Sequence, residues 1–457
     1  FYSLTFQVDV DGRVRVFHGL NRVEKQFPWY PPTLLDKQHL DNLQSWGFNV
    51  VRLGMMWSGV ETGPYEVNNT YLSIMDGIID SLGKRGIYVI LDMHQDVLSS
   101  KFNSYDGAPL WLVNSLPKTK HAYPWPLKKK PSNWEENYIA YAVGEAFENI
   151  YNNASGALDH LIFFWRTVAK RYGQKYNVLG YELINEPWPG NTYADPLLFL
   201  PGNAGSEHLL PLYDKLASAI DQVDNQTMIF YEPVTWGMIL TGKTLGSGFT
   251  HVPGGDKMRE RAVFSYHYYC WFAGSYDKNP FPAWLRALCD HLFFPHVIES
   301  VAKDTSATGG GMFLTEFGLC NANAPKNSTE YQECLSVLST TDMAGLSWTY
   351  WDSEFYLSNG SVNTENVKLF SRPYPMALEG QLLLSQFDSA SKVYTLNYLP
   401  KQNSTTYIYV PAIHYPNGFN VTIPSDCKSS NDGAGFVKIY CASISKPLAS
   451  VLIAPKK

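Results

Sequence analysis

Up to about residue 378, short apolar runs alternate with stretches whose apolar residues recur at helical spacing. Residues 49–53, 87–92, 180–184, 227–231, 262–266, 312–315 and 346–351 read as buried strands. The run 14–20 makes eight. Their near-continuous apolar character suits parallel strands covered on both faces. Helical patterns over 36–46, 71–85 and 158–172 stop at Gly47, Gly86 and Gly173, since glycine just past the last periodic residue ends a helix. Residues 206–223, 284–301 and 329–343 supply more. Strand then helix, repeated, predicts an α/β fold, the (β/α)8 TIM barrel, with chemistry at the C-terminal ends of the strands. Ahead of it, 5–10 and 14–20 flank Asp11-Gly12 as an N-terminal hairpin.

The rhythm breaks twice, at 95–156 and at the Pro/Gly/Asn-rich 187–205. Long loops on that barrel face shape a cleft. Beyond 378 the helices disappear. Alternating runs at 394–398, 406–410, 419–423, 435–441 and 449–453 predict a small antiparallel β-sandwich. The expected division is therefore a catalytic barrel with its hairpin over 1–378 and a sandwich over 379–457.

Composition adds limits. A chain of 457 residues exceeds what one core usually supports, in keeping with a large unit and a small one. A net charge of −6 gives no reason to expect nucleic-acid binding. No apolar run reaches the length of about 20 residues that crosses a bilayer. The chain opens at Phe1 in a strand-like stretch without a visible signal peptide, as a mature product would. Seven N-x-S/T sequons (Asn68, Asn153, Asn225, Asn327, Asn359, Asn403, Asn420) predict an N-glycosylated protein of the secretory route, secreted or lysosomal. Of the fifteen pairings open to six cysteines, nearest-neighbour pairing closes three short loops, with Cys427–Cys441 inside the sandwich. None of the six has zinc-site spacing, and no metal or other cofactor is expected.

Two motifs carry the chemistry: Leu183-Ile184-Asn185-Glu186-Pro187 and Leu314-Thr315-Glu316-Phe317-Gly318. Each ends a predicted strand on a glutamate, and two facing carboxylates are the minimum equipment for glycosidic bond cleavage. One must start protonated and the other ionised, so their surroundings must differ. Asn185 offers Glu186 an uncharged neighbour and a donor for a sugar 2-hydroxyl. Arg52, at its own strand end, is the expected partner of Glu316. Asp92-Met93-His94-Gln95-Asp96 ends another strand, and His94 with Asp96 can grip sugar hydroxyls. His267 and Tyr269 are expected to steer the nucleophile, and Trp351 to lie beneath the sugar, with Trp348 as competitor. Lys25 and Asn21 follow the first strand towards the same pocket. Glu232, also before a proline, reads as cleft wall or structure. Trp111, Trp125, Trp134 and 290–295 are candidates for apolar cleft walls.

Taken together, Arg52, His94, Asn185-Glu186, His267/Tyr269, Glu316 and Trp351 resemble the active-site set of family-5 retaining glycoside hydrolases. Within that family the chain is similar to the endoglycoceramidases. The longer stretches 89–97, Asn185-Glu186-Pro187, Glu316-Phe317-Gly318-Leu319 and Arg372-Pro373-Tyr374-Pro375 carry that likeness. The resemblance implies hydrolysis of the β-bond between oligosaccharide and ceramide in a glycosphingolipid. It assigns Glu186 as acid/base, Glu316 as nucleophile, and His94, Asp96, Asn185, Tyr269, Trp351 and Lys25 as holders of the sugar. A lipid substrate leaves room for transient contact with a membrane surface; the sequence carries no sign of oligomeric state. An exo-β-glucosidase of glucosylceramide or steryl glucosides, or a β-glucanase, would keep the same carboxylates. A non-catalytic glycolipid-binding protein would not need them.

Overall fold

The computed structural model describes residues 6–236, 246–270, 283–351, 355–401, 403–431, 435–442 and 448–456. Eight parallel strands close the predicted barrel: β1 (His18–Arg22), β2 (Val50–Gly54), β3 (Tyr88–Asp92), β4 (Val178–Glu182), β5 (Met228–Tyr231), β6 (Ala262–Tyr268), β7 (Gly311–Phe317) and β8 (Trp348–Tyr350). Each pairs with the next, and β8 returns to β1 through Tyr350↔Leu20.

The barrel lumen has two storeys. Towards the N-terminal ends Val50, Ile90, Phe230, Val263 and Phe313 form an apolar plug. Two residues further along the same strands stand Arg52, Asp92, Glu232, Ser265 and Thr315, because a strand returns to the same face every second residue. β7 breaks this alternation. Its register against β6 shifts between Leu314 and Glu316, and against β8 between Leu314 and Phe317. Thr315 bonds Ser265 while its neighbour Glu316 meets Arg52, so consecutive residues both face inward. Re-aiming a side chain is what a bulge does.

The first barrel helix shows how sequence sets an element and its docking. Asp36 caps Lys37–Ser45, accepting from the amides of Gln38 and His39. Gly47 then leaves the helix at φ 79°, where the Tyr409 ring stands 2.1 Å from the position a Cβ would take. Only glycine suits both the left-handed backbone and that approach. The Tyr409 hydroxyl donates to the Ser45 carbonyl at 2.7 Å and that of Tyr374 to the Gly47 carbonyl at 2.7 Å. Arg372 and Asp342 form a buried pair at the same junction.

The C-terminal strands form the expected sandwich: β9 (Tyr374–Leu378), β10 (Gly380–Asp388), β11 (Val393–Pro400), β12 (Ser404–Tyr409), β13 (Phe419–Thr422), β14 (Cys427–Asn431), β15 (Phe436–Cys441) and β16 (Ala449–Pro455). One sheet runs β10-β11-β16-β13. The other runs β9-β12-β15-β14 and takes in Val14–Arg15 at its edge. Leu396, Val451 and Ile453 of the first meet Ile408, Val437 and Ile439 of the second. Of the expected N-terminal hairpin, Thr5 lies outside the described residues and a single bridge, Val8↔Val14, is formed. Val14–Arg15 instead extend antiparallel along β9, joining a larger sheet, since a lone two-stranded ribbon is only marginally stable.

All six cysteines pair with their nearest neighbours: Cys270–Cys289, Cys320–Cys334 and Cys427–Cys441. The first two tie down the segments leaving β6 and β7. No helix among the described residues is long and apolar enough to cross a membrane.

Candidate active site

Arg52 is wholly buried at the C-terminal mouth of the lumen. Its Nε donates to Glu182 at 2.5 Å, Nη1 to Glu316 at 3.0 Å and to Asn21 at 3.1 Å, and Nη2 to Asn185 at 2.8 Å. Asp92 and Glu232 stand 3.2 and 3.4 Å from Nη2. One cation among four buried carboxyls cannot leave all of them ionised, because each unpaired buried charge carries a large desolvation penalty.

Glu186 follows β4 with φ 38°, a left-handed conformation unfavourable for any residue with a Cβ. Four hydrogen bonds hold it there. Gln95 Nε2 donates to the carbonyls of Asn185 and Glu186 at 2.7 and 2.9 Å. The Thr235 hydroxyl donates to the Glu186 carbonyl at 2.8 Å, and the Glu186 amide donates to Glu232 at 3.2 Å. Burial lifts the Glu186 carboxyl to about 7, aided by the charge of Asp96 and opposed by His94, Lys25 and Arg52. Glu186 Oε1 lies 2.8 Å from His267 Nδ1, and burial lowers that imidazole to about 4, leaving it neutral.

Glu316, aimed inward by the bulge, accepts from Arg52 and, at 2.5 Å, from the Tyr269 hydroxyl. A carboxylate oxygen of Glu186, one of Glu316 and a ring nitrogen of His267 all lie within 4.8 Å of one another. Such closeness is in keeping with the ~5–5.5 Å carboxyl separation that goes with retention.

Beside this pair lies a polar corner. His94 Nδ1 meets Asp92 at 2.7 Å, and Asp96 meets both Lys25 and His94. Burial acts to lower the His94 imidazole, but Asp92 and Asp96 outweigh it and raise it. Burial acts to raise Asp96, yet Lys25 and His94 hold it well below the usual carboxylate range. The Trp351 ring stacks on His94 at 5.3 Å, with the Lys25 ammonium 4.5 Å from its centre. Trp348 is fully buried against His18 and Phe317, so Trp351 is the tryptophan at the pocket. From Lys25 and Trp351 an open cavity of about 760 Å³ runs past Tyr105 and Trp134 to Pro31 and Tyr356.

The eleven residues expected at the pocket, Asn21 on Arg52 among them, thus meet at one mouth. Asn185 accepts from Arg52 and donates one amide hydrogen to the Gln95 carbonyl, which leaves its second hydrogen for a ligand. Sequence reading gave no role to Asp92 and Gln95, although both lie in the motif it quoted, and missed Thr235 and the buried acid Glu182, which carry no motif. It read Glu232 as cleft wall or structure; Glu232 is buried and touches the Glu186 amide, His267 and Arg52. Glu182, Glu232 and His267, like Glu186, His267 and Glu316, could supply three ligands to a cation. The Arg52 guanidinium already sits against Glu182, Glu232 and Glu316, and its like charge disfavours a metal there.

The apolar-wall candidates divide. Trp134 faces Lys25, Trp111 donates to the Glu61 carbonyl, and Phe294 is core packing against Tyr268. Trp125 remains 42% exposed, stacked on His121.

Comparison with known proteins gives the same outline. Residues 8–356 match the model of Cellulase (glycosyl hydrolase family 5), and 372–442 match the glycoside hydrolase family 5 C-terminal domain. The chain is 34% identical to an endoglycoceramidase of Hydra vulgaris, over 92% of this chain and 82% of that protein. It is 32% identical to an endoglycoceramidase of Cyanea nozakii, over 92% and 86%. Its fold superposes on endo-glycoceramidase II from Rhodococcus sp. in a ganglioside GM3 complex, with a TM-score of 0.81, 23% identity and both chains covered in full.

Proposed function

Because this chain belongs to glycosyl hydrolase family 5, we propose that it cleaves glycosphingolipids between oligosaccharide and ceramide, as a retaining endo-β-glycosidase with Glu186 as acid/base and Glu316 as nucleophile. One observation carries the reading: an oxygen of the Glu186 carboxyl, just past β4, and one of the Glu316 carboxyl on β7 lie within 4.8 Å of each other, in unlike surroundings. Glu186, lifted to about 7 by burial, holds a proton for the departing ceramide oxygen. Glu316, gripped by Arg52 and Tyr269, attacks the anomeric carbon and forms a glycosyl-enzyme. Glu186, now a carboxylate, takes a proton from water as that water displaces Glu316. Two inversions give net retention. His94, Asp96, Asn185, Lys25 and Trp351 line the sugar side, where charged hydrogen bonds meet hydroxyls and the indole face meets a pyranose.

The cavity continuing beyond Trp351 gives room for further sugars, which an exo-acting glucosidase does not need. Incubation with a ganglioside and with glucosylceramide, followed by identification of the released sugar, tests this. Intact oligosaccharide plus ceramide is expected. Free glucose from glucosylceramide with the ganglioside untouched would favour the exo reading, and no release from either would overturn both.

Two further proposals follow from surface features. Trp284, Leu288 and Leu292 recur every fourth residue at 67%, 36% and 55% exposure, on the helical segment leading back from the β6 loop. Such a stripe suits brief contact with the membrane that holds the substrate. Six of the seven sequon asparagines are exposed; Asn68 is half-buried, capping a helix at the Tyr71 amide. With three disulfides, these support passage through the secretory route to an extracellular or lysosomal destination.

A further inference from the structure

We propose that Glu232 is a positioning residue: it fixes the tautomer of His267 and so places the acid proton of Glu186 on Glu186 Oε2. The inference rests on the reading of Glu186 as acid/base and adds to it the group that decides where its proton sits.

A neutral imidazole carries one N–H and one lone pair, and the partner of one nitrogen sets the role of the other. His267 Nδ1 lies 2.8 Å from Glu186 Oε1. Its Nε2 is buried, makes no well-formed hydrogen bond among the described residues, and lies 3.4 Å from Glu232 Oε1. Two arrangements exist. If Nε2 carried the hydrogen, Nδ1 would accept, and Glu186 would turn its proton on Oε1 towards the histidine. If Nδ1 carries the hydrogen, it donates to Oε1, and the acid proton must sit on Oε2. The second arrangement needs a donor facing Nε2.

Glu232 is suited to be that donor. It is 3% exposed and ringed by charge: Arg52, Glu182, Asp92 and Glu186, with His267 above it and the Tyr213 hydroxyl on its backbone carbonyl at 2.8 Å. Arg52 is nearer to Glu182, Glu316 and Asp92 than to Glu232. Glu232 is thus the carboxyl of this group least served by the guanidinium. Burial, reinforced by Glu182, raises it well above the usual carboxylate range despite Arg52. A neutral Glu232 donates its O–H to Nε2 from Oε1, whose lone pair also accepts from Arg52 Nη2 at 3.4 Å, and it accepts the Glu186 amide on Oε2 at 3.2 Å.

The protons balance through both steps. The Oε2 proton of Glu186 passes to the leaving oxygen, and the Nδ1–H bond remains to stabilise the new carboxylate. Water then returns a proton to Oε2. Glu232 and His267 end as they began, and neither exchanges a proton with substrate.

Ring-15N histidine NMR on the whole protein tests this directly, with the His267 signals assigned by difference from His267→Asn. The expected result is a neutral Nδ1–H tautomer in the wild type and in Glu232→Gln, whose amide can still donate to Nε2. Kinetics on two substrates supply the second arm: an alkyl β-glycoside, which needs protonation to leave, and a dinitrophenyl glycoside, which does not. Glu232→Gln should keep both rates within about threefold, while Glu232→Met should lose about 10²-fold on the alkyl glycoside alone, at the lower end of general acid catalysis. An Nε2–H tautomer or an imidazolium in the wild type would overturn the proposal. So would equal losses on both substrates, or a Glu232→Gln enzyme as impaired as Glu232→Met. Should Glu232→Met fail to fold, the NMR and the Gln variant still decide. Glu186→Gln is the control: if it spared the alkyl glycoside, the acid assignment itself would fall instead.

Discussion

The side-chain amide of Gln95 bonds the carbonyl of Glu186 at 2.9 Å and that of its neighbour Asn185 at 2.7 Å, tying the end of β3 to the strained turn after β4. This clamp holds a residue at φ 38° that would otherwise relax. Gln95→Leu removes both bonds from a buried site. A stability loss of roughly 1–3 kcal/mol is expected. A displaced carboxyl should also lower kcat by about 10²-fold with KM little changed. Kinetics and a urea melt read the two effects. An unchanged kcat in a folded variant would show that the turn does not depend on the clamp.

The two glutamates should fail in different ways. Glu316→Ser removes the nucleophile, and all substrates should slow by roughly 10⁴–10⁶-fold. Glu186→Ala should lose roughly 10²–10⁴-fold on substrates with poor leaving groups. With an activated aryl glycoside it should accumulate the glycosyl-enzyme, visible by intact mass spectrometry. A Glu316→Ser enzyme that turned over normally would refute the assignment of roles.

The pH profile follows from the proton on Glu186. That carboxyl is lifted to about 7 and must be protonated in the free enzyme. kcat/KM should therefore hold below that pH and fall about tenfold per pH unit above it. Steady-state rates on a ganglioside from pH 5 to 9 check this. A plateau reaching pH 9 would mean that the acid is another group.

Stability should depend on pH in the same direction, partly through a second pair. Glu333 is 3% exposed and is raised to about 8 by burial, then by the Asp290 charge and a hydrogen bond to it, with Arg286 opposing. The folded state holds this proton more tightly than the unfolded chain, whose carboxyl titrates near 4.5. The stability is thus intact below about 4.5 and drains away as pH rises to about 8, by an amount on the order of a few kcal/mol. Wild-type melting temperature should fall across that window. Glu333→Gln, which keeps a donor without a charge, should flatten the fall while leaving the contributions of Glu186 and Glu232. Equal slopes for both proteins would exclude the pair as a source.

The exposed stripe of Trp284, Leu288 and Leu292 makes a separate claim. Trp284→Ser with Leu292→Ser should slow hydrolysis of glycosphingolipid embedded in vesicles by about tenfold, through the loss of two buried apolar anchors. Hydrolysis of a soluble aryl lactoside should stay unchanged. Equal losses on both would place these side chains in folding instead.

The sequence by itself determined the elements and their order. Apolar runs such as 49–53 and 87–92 are long enough in β-branched and leucine residues to be buried strands in any fold, and Gly47 marks its helix end without help from afar. Period-two alternation even places Arg52 and Asp92 above Val50 and Ile90 on the lumen face. That Glu186 and Glu316 come together was legible as two strand-end glutamates. What the tertiary structure decided was direction and charge state. Alternation in β7 sends Thr315 inward and would turn Glu316 towards the helices; the bulge, set by pairing with β6 and β8, reverses that. The left-handed turn at Glu186 persists because Gln95 and Thr235, 91 and 49 residues away, hold its carbonyl. Which carboxyl keeps a proton depends on how Arg52 divides itself among Glu182, Glu316, Asp92 and Glu232. Desolvation and Coulomb terms are sums over neighbours in space, and neighbours in space are what a linear chain does not state.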